Sequence, residues 1–339
     1  MAVKSSGSLS FTEIKNEFGF PPDKKFGNYR ISKTVGAMTN LPLDSGIPQS
    51  GAIKFSDFYG KKQNIIVDLF SGGTEQSVDA KSIFNSNKVV VLGGGSKPTS
   101  TGDKKVIVHV NKLVQSQKSP DNKRVALLTG NWDNGTDFTI NVGSAGTISG
   151  TGGNGGSGAN AGNNRGTDGE SGTSAIGVND SDLVVKIQNN GLIRTGFGGG
   201  GGGAGRGESR RSGKKSSTWC TSSGGGGGGG LGYPVGAGLG GPSPQDASNG
   251  TNGGAGGAGE QNTAGGFGNG GTSASAGGNG GDTTSGATAA RAPSGGTNGS
   301  IVATLGGTNG YAVVKVSGST VNISGNSIVG REVVGTPFR

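Results

Sequence analysis

Between Asn64 and Val142 the apolar positions fall in short β-branched blocks rather than at helical spacing. The blocks are Ile65-Ile66-Val67, Val89-Val90-Val91-Leu92, Val106-Ile107-Val108-His109-Val110, Val125-Ala126-Leu127-Leu128 and Phe138-Thr139-Ile140-Asn141-Val142. Gly, Asn, Asp and Pro separate them, so the pattern predicts a compact all-β domain of about five strands over residues 64–142. Further strands are expected at Leu183–Ile187, Ile301–Leu305 and Tyr311–Val316. A phrase also recurs: Ile140-x-Val142 is followed by Gly146 and Ile148, and Val185-x-Ile187 by Gly191 and Ile193, and each copy leads into a glycine run. Strand pairs are thus expected to launch the glycine segments and, from Val313 to Ile328, to close them.

Residues 1–63 carry a different pattern. Ser6-Gly7-Ser8-Leu9-Ser10-Phe11-Thr12-Glu13-Ile14 is echoed by Ser50-Gly51-Ala52-Ile53-Lys54-Phe55-Ser56-Asp57-Phe58 in its Gly, apolar and aromatic places. Each copy reads as a short strand followed by a helical turn. Ser10 or Thr12 can cap a helix over Glu13–Phe18, and Ser56-Asp57 can begin a turn that Gly60 ends. Pro21-Pro22, Pro42 and Pro48 break any long element between the copies. So small a piece is expected to dock on a partner, with Leu9, Phe11, Ile53, Phe55, Phe58 and Tyr59 as attachment candidates. The competing reading is an N-terminal subdomain packed on its own chain.

From Gly143 to Gly310 there are 58 glycines in 168 residues, including the unbroken runs Gly198–Gly203 and Gly224–Gly230. That level is found in collagen, but no strict Gly-X-Y triplet is sustained and the chain has only 11 prolines to stiffen it. Ordered polyglycine must offset a large entropy loss with backbone hydrogen bonds. A left-handed three-residue helix allows this, because its N–H and C=O groups point sideways and bare backbones can lie close enough to bond one another. Residues 143–339 are therefore read as a bundle of polyglycine II helices joined by loops. A flexible Gly/Ser linker is the alternative.

Composition narrows the function. Only 29% of residues are apolar and 5% aromatic, which excludes one large oily core. The net charge of +9 includes a cluster of Arg206, Arg210, Arg211, Lys214 and Lys215 against Glu208. No long basic tract tracks a nucleic-acid backbone, and Arg-Gly-Gly repeats with interleaved aromatics are absent. Cys220 is the single cysteine, so no intrachain disulfide forms. The N-terminus has no apolar signal segment and no stretch approaches membrane-spanning length, so a soluble, unexported chain is expected. His109 lies in an alternating strand, no Cys/His cluster offers a metal site, and no glycine spacing sits in a βαβ unit. No enzyme, cofactor or metal is expected.

Two stretches carry a resemblance to a known family. Thr139–Gly158 reads Thr-Ile-Asn-Val-Gly-Ser-Ala-Gly-Thr-Ile-Ser-Gly-Thr-Gly-Gly-Asn-Gly-Gly-Ser-Gly, and Leu183–Gly203 ends in Gly-Phe followed by six glycines. Together with the later glycine runs and Gly325-Asn326-Ser327-Ile328-Val329-Gly330, they resemble the distal adhesin of T-even-type phage long tail fibres. The likeness covers roughly residues 139–334. Residues 1–63 depart from it and look instead like the short Ser-Gly-x-Ile-x-Phe-Ser-Asp segments of other tailed-phage virion proteins.

The resemblance implies an ordered polyglycine II bundle, which completes an expected fold of all-β plus polyglycine II helices behind the short N-terminal attachment segment read from residues 1–63. It also implies a virion tail or tail-fibre location after assembly in the host cytoplasm. The implied partners are other tail or fibre proteins and a host surface receptor, either an outer-membrane protein or a polysaccharide. Recognition would then fall to the loops 159–174, 206–223, 242–251, 260–264, 272–276 and 282–294. The second is chemically richest. Arg206, Arg210, Arg211, Lys214 and Lys215 suit carboxylate or phosphate groups, and Trp219, with Tyr233 beyond it, suits a sugar face or guanidinium. A purely structural tail or capsid decoration protein is the rival reading, and a Gly-rich nucleic-acid binder a weaker one.

Overall fold

The β-branched blocks do form strands, but their partners are found one circuit of the chain away. The computed structural model describes residues 2–19, 25–36, 38–69, 72–117, 125–159, 166–203, 206–212, 216–222, 225–232, 278, 281 and 304–335. The N-terminal segment holds α1 (Phe11–Phe18), a 3-10 turn at Phe26–Tyr29, β1 (Lys33–Val35) paired antiparallel with β2 (Met38–Leu41), and a second 3-10 turn at Phe55–Phe58. The chain then winds through three faces in repeating order. A first rung comprises β3 (Asn64–Leu69), β4 (Glu75–Gln76) and β5 (Val78–Asp79), and α2 (Ala80–Asn85) and β6 (Val89–Val91) follow it. The next rung is β7 (Lys105–Val110), β8 (Leu113–Gln115) and β9 (Val125–Leu128), and after it come β10 (Asp137–Val142), β11 (Thr147–Ser149) and β12 (Ser174–Val178).

A further rung holds β13 (Val184–Asn189) and β14 (Leu192–Arg194), then detours through the hairpin β15 (Arg206–Ser212) and β16 (Ser216–Ser222) before β17 (Val313–Lys315). The last rung has β18 (Thr320–Gly325), a parallel bridge of Val329 to Arg194, and β19 (Glu332–Val334). Among the described residues the sheet orders are β18-β13-β10-β7-β3-β6, β14-β11-β8-β4 and β19-β17-β12-β9-β5. Except for the antiparallel β6, every pairing in them is parallel. The result is a three-faced parallel β-solenoid.

Register explains its interior. On the long sheet Val67, Val108, Ile140, Ile187 and Ile323 stand in one row, and on the second face Val114, Ile148 and Ile193 in another. Leu127, Ile176 and Val313 make the row of the third face. Apart from Ile323, which is 38% exposed at the end of the first row, these side chains share one buried core, which is why parallel strands this rich in Val and Ile are stable here.

Several expectations need correction. The sheets run without a break across the boundary expected between residues 142 and 143, because β10 pairs both with β7 before it and with β13 after it. The recurring phrase is in register only in its second half. Ile148 pairs with Ile193, but Ile140 pairs with Ile187 rather than Val185, because the turn after β10 is two residues longer than the turn after β13. No strand forms at Thr304–Leu305, the described part of the block 301–305. No strand precedes Phe11 or Phe55 either, and α1 begins at Phe11, with Ser10 and Glu13 closing a capping box.

The N-terminal segment lies on the outer face of the long sheet. Ile14, Phe18, Tyr29, Leu43 and Phe58 are buried with Ile66 and Leu92, and Val90 and Ile107 pack against them. The two sequence echoes meet directly, with the Phe11 and Phe55 rings edge to face at 5.7 Å. Beneath them Glu17 receives the Gln63 N–H and pairs with the Lys104 ammonium, and Asp44 receives the Lys62 N–H and pairs with Lys105. Burial pushes the Glu17 carboxyl above its ordinary range, and its bonds to Lys104 and Gln63 pull it back. Glu17→Ala leaves a buried ammonium and a backbone N–H unpaired, a loss of about 3–5 kcal/mol. The segment should then be cleaved by protease within residues 1–63 at concentrations that leave the wild type intact.

Candidate functional site

Between β11 and β12, and again between β14 and β17, the chain leaves the solenoid at the corner joining the second and third faces. Apart from a hairpin, the described residues of these segments lie outside any strand ladder and bond one another at every third residue. Gly150, Gly153, Gly156 and Ala159 donate N–H groups to the carbonyls of Arg194, Phe197, Gly200 and Gly203. Running the other way, Thr167, Glu170 and Thr173 donate to Ser157, Asn154 and Thr151. Residues 196–203 form the central rod. Gly196, Gly199 and Gly202 donate to Thr173, Glu170 and Thr167, and Phe197, Gly200 and Gly203 donate to Leu231, Gly228 and Gly225.

The carbonyls of the central rod are used as fully. Those of Phe197, Gly200 and Gly203 receive residues 153, 156 and 159; those of Gly198 and Gly201 receive Gly281 and Gly278; those of Gly196 and Gly199 receive Gly310 and Gly307. One short rod thus has bonded neighbours on five sides. The reason for glycine is steric: a Cβ on Gly199 would fall on the Asn154 carbonyl, and one on Gly202 on the Ser157 carbonyl.

The same period of three governs a stretch without glycine runs, Thr167-Asp168-Gly169-Glu170-Ser171-Gly172-Thr173-Ser174. Thr167 Oγ1, Glu170 Oε2 and Thr173 Oγ1 accept from the N–H groups of Ser157, Asn154 and Thr151. Asp168 Oδ1, Ser171 Oγ and Ser174 Oγ accept from those of Leu305, Thr308 and Tyr311. Gly169 and Gly172 face the central rod, where a Cβ would meet the carbonyls of Gly199 and Gly196. Residues 166–174 are therefore part of the bundle and not a recognition loop. Here polar side chains accept N–H groups alongside the backbone carbonyls. The polar-polar-glycine spacing was the available signal, and counting glycines alone misses it. Asn309 is another such residue, its Oδ1 accepting the Gly198 N–H at 3.1 Å.

At the outer end of the central rod stands the antiparallel hairpin of β15 and β16, with Arg206 opposite Ser222, Ser209 opposite Trp219 and Arg211 opposite Ser217. Arg206, Arg210, Arg211 and Trp219 of the expected recognition set therefore lie on its two paired strands. Lys214, Lys215 and Tyr233 lie outside the described residues, as do the loops 242–251, 260–264, 272–276 and 282–294.

The attachment candidates sit on the far side of the solenoid. Phe58 is fully buried, Leu9, Phe11, Ile53 and Tyr59 are partly buried, and Phe55 is 39% exposed. Tyr59 donates its hydroxyl to the Gly7 carbonyl, tying the two echoes together. His109 lies in register between Asp68 and Asn141, its Nδ1 3.0 Å from Asn141 Oδ1, and burial holds its imidazole below the usual range. Among the described residues no group of His, Cys, Asp and Glu could hold a metal ion, and no helix is long and apolar enough to cross a membrane.

The family model of the phage tail fibre adhesin Gp38 matches residues 75–333. A solved structure, the gp37-gp38 adhesin tip complex of the bacteriophage S16 long tail fibre, is similar at 20% identity. That alignment covers 85% of this chain and 90% of that one, with a TM-score of 0.39. No curated protein matches.

Proposed function

The chain belongs to the phage tail fibre adhesin family Gp38, proteins of the virion tail fibre that bind the host receptor, and on that premise we propose how it does so. The extended glycine segments are polyglycine II helices. Their lateral bonding at every third residue, through both N–H and C=O, is what a three-fold helix without side chains requires. The bundle presents its outer loops to the cell surface, and the hairpin at 206–222 is the main contact through Arg206, Arg210, Arg211, Lys214, Lys215 and Trp219, with Tyr233 beside it. Residues 1–63 attach the chain to another tail-fibre protein, residues 64–142 begin the solenoid that spaces the two ends, and residues 143–339 complete that solenoid and carry the tip. The chain acts by binding and not by catalysis, and assembles in the host cytoplasm.

The observation that carries this reading is polarity. The N-terminal segment covers the outer face of the long sheet, while the glycine segments that follow β11 and β14 leave from the corner opposite that face. A molecule built this way can be held on one side and read a surface with the other. A hairpin this rich in arginine, with lysines at its turn in the sequence, suits a receptor that carries carboxylate or phosphate groups, such as an acidic polysaccharide.

Replacing Arg206, Arg210, Arg211, Lys214 and Lys215 with Ser tests it. Several charge contacts are removed at once, so adsorption should fall about tenfold or more, and the residual adsorption should respond less to salt. Melting should stay within a few degrees of the wild type. Unchanged adsorption by particles carrying the normal amount of this chain would refute the hairpin's role.

A further inference from the structure

The charges of the N-terminal segment are sorted by side. Glu17 and Asp44 face inward and pair with Lys104 and Lys105 of the solenoid. Glu13 is held by Lys4 and by the Ser10 cap, and Asp57 accepts the Lys54 N–H. Asp23 lies outside the described residues. Each described acid of the segment is thus engaged within the chain. On the outward side Lys25 and Lys54 are exposed, and neither ammonium has an ion-pair partner among the described residues.

Each of these lysines immediately precedes an aromatic ring, Phe26 and Phe55. The two rings meet edge to face at 4.6 Å, and Phe11 stacks on Phe26 at 4.6 Å, so both sequence echoes and the intervening turn contribute to one cluster. Phe55 is 39% exposed, although the echoed ring Phe11 is partly covered. A ring cluster open to solvent beside unpaired cations is complementary to a carboxylate-bearing apolar segment. Apolar side chains cover the rings, and the carboxylates neutralise lysines that no acid among the described residues neutralises.

We propose that the Phe11-Phe26-Phe55 cluster, flanked by Lys25 and Lys54, receives an acidic segment with apolar side chains from the tail-fibre protein that carries this chain. The inference rests on the reading that residues 1–63 are the attachment segment, and adds where on them the contact lies and what chemistry meets it.

The test uses whole particles. Phage encoding K25E/K54E are purified beside wild type, a Phe55→Ser variant and a Lys88→Glu control on the solenoid, and the chain is quantified per particle by mass spectrometry. K25E/K54E should carry about tenfold less of the chain, because two attractive contacts become repulsive. Phe55→Ser should lose several-fold and Lys88→Glu nothing, while the melting temperature of the purified K25E/K54E chain matches the wild type. Wild-type content in both K25E/K54E and Phe55→Ser particles overturns the proposal, and leaves the attachment reading standing if a chain lacking residues 1–60 is still excluded from particles. Sedimentation of the purified full chain supplies another outcome. A wild-type dimer that Phe55→Ser dissociates, with particle content unaltered, makes the patch a contact between copies and also overturns the proposal.

Discussion

Gly199→Val is expected to unfold the glycine bundle, and with it to abolish adsorption. Gly199 donates its N–H to Glu170 and accepts from Gly307. A Cβ there would overlap the Asn154 carbonyl and crowd the Gly155 nitrogen, both of them backbone atoms that cannot rotate away. Separating the rods leaves several backbone groups buried without partners, each worth about 1–3 kcal/mol. The total exceeds about 5 kcal/mol, comparable with the whole stability of an ordinary domain. Gly227→Val should behave alike, because a Cβ there falls on the Gly200 carbonyl. Gly73→Ala is the control: nothing lies within 4 Å of its added Cβ, so it should melt within a degree or two of the wild type. A Gly199→Val chain with the wild-type melting curve and normal amide protection over residues 196–203 would show that the rods do not support one another.

Removing residues 1–60 is expected to eliminate the chain from particles while sparing the tip. The truncation has a second effect that the sequence did not suggest. It uncovers Ile66 and Leu92, both fully buried, together with Val90 and Ile107 on the outer face of the long sheet. Fully exposing each costs about 1.5–3 kcal/mol of lost burial, and the bared face invites aggregation. The informative variant therefore carries Ile66→Thr and Ile107→Thr as well, which keeps β-propensity while making that face polar. The expected product is soluble, blocks adsorption of wild-type phage when added in excess, and is absent from assembled particles. Its normal incorporation would remove the attachment role from the N-terminal segment.

Much of this was legible in the chain. β-branched blocks mark β3, β6, β7, β9, β10 and β13, because each of these strands turns at least one face into a hydrophobic core. The capping box at Ser10 and Glu13 is a local device and was readable to within two residues. Glycine runs separated by polar segments point to rods bonded side to side, since nothing else satisfies so many bare backbone groups. Short strands were less legible. β4, β5, β8, β11, β14 and β19 each span two or three residues, too few for a period to register, and they exist because the rung above or below supplies the ladder.

What the sequence determines by itself is chemistry with a short range: which segments are β-rich, where a helix is capped, where glycine replaces side chains, and that an arginine- and lysine-rich stretch interrupts the glycine. The tertiary structure alone decides that β10 and β13 belong to one sheet with β3, that the two N-terminal echoes meet as a ring pair, and that residues 166–174 are a rod and not a loop. It also sets the N-terminal segment and the glycine segments on opposite sides of the solenoid. The physical reason is the same in each case. The groups that satisfy these backbones lie one rung, or more than a hundred residues, away, as when Asp168 receives the N–H of Leu305, and no local pattern records a partner at that distance.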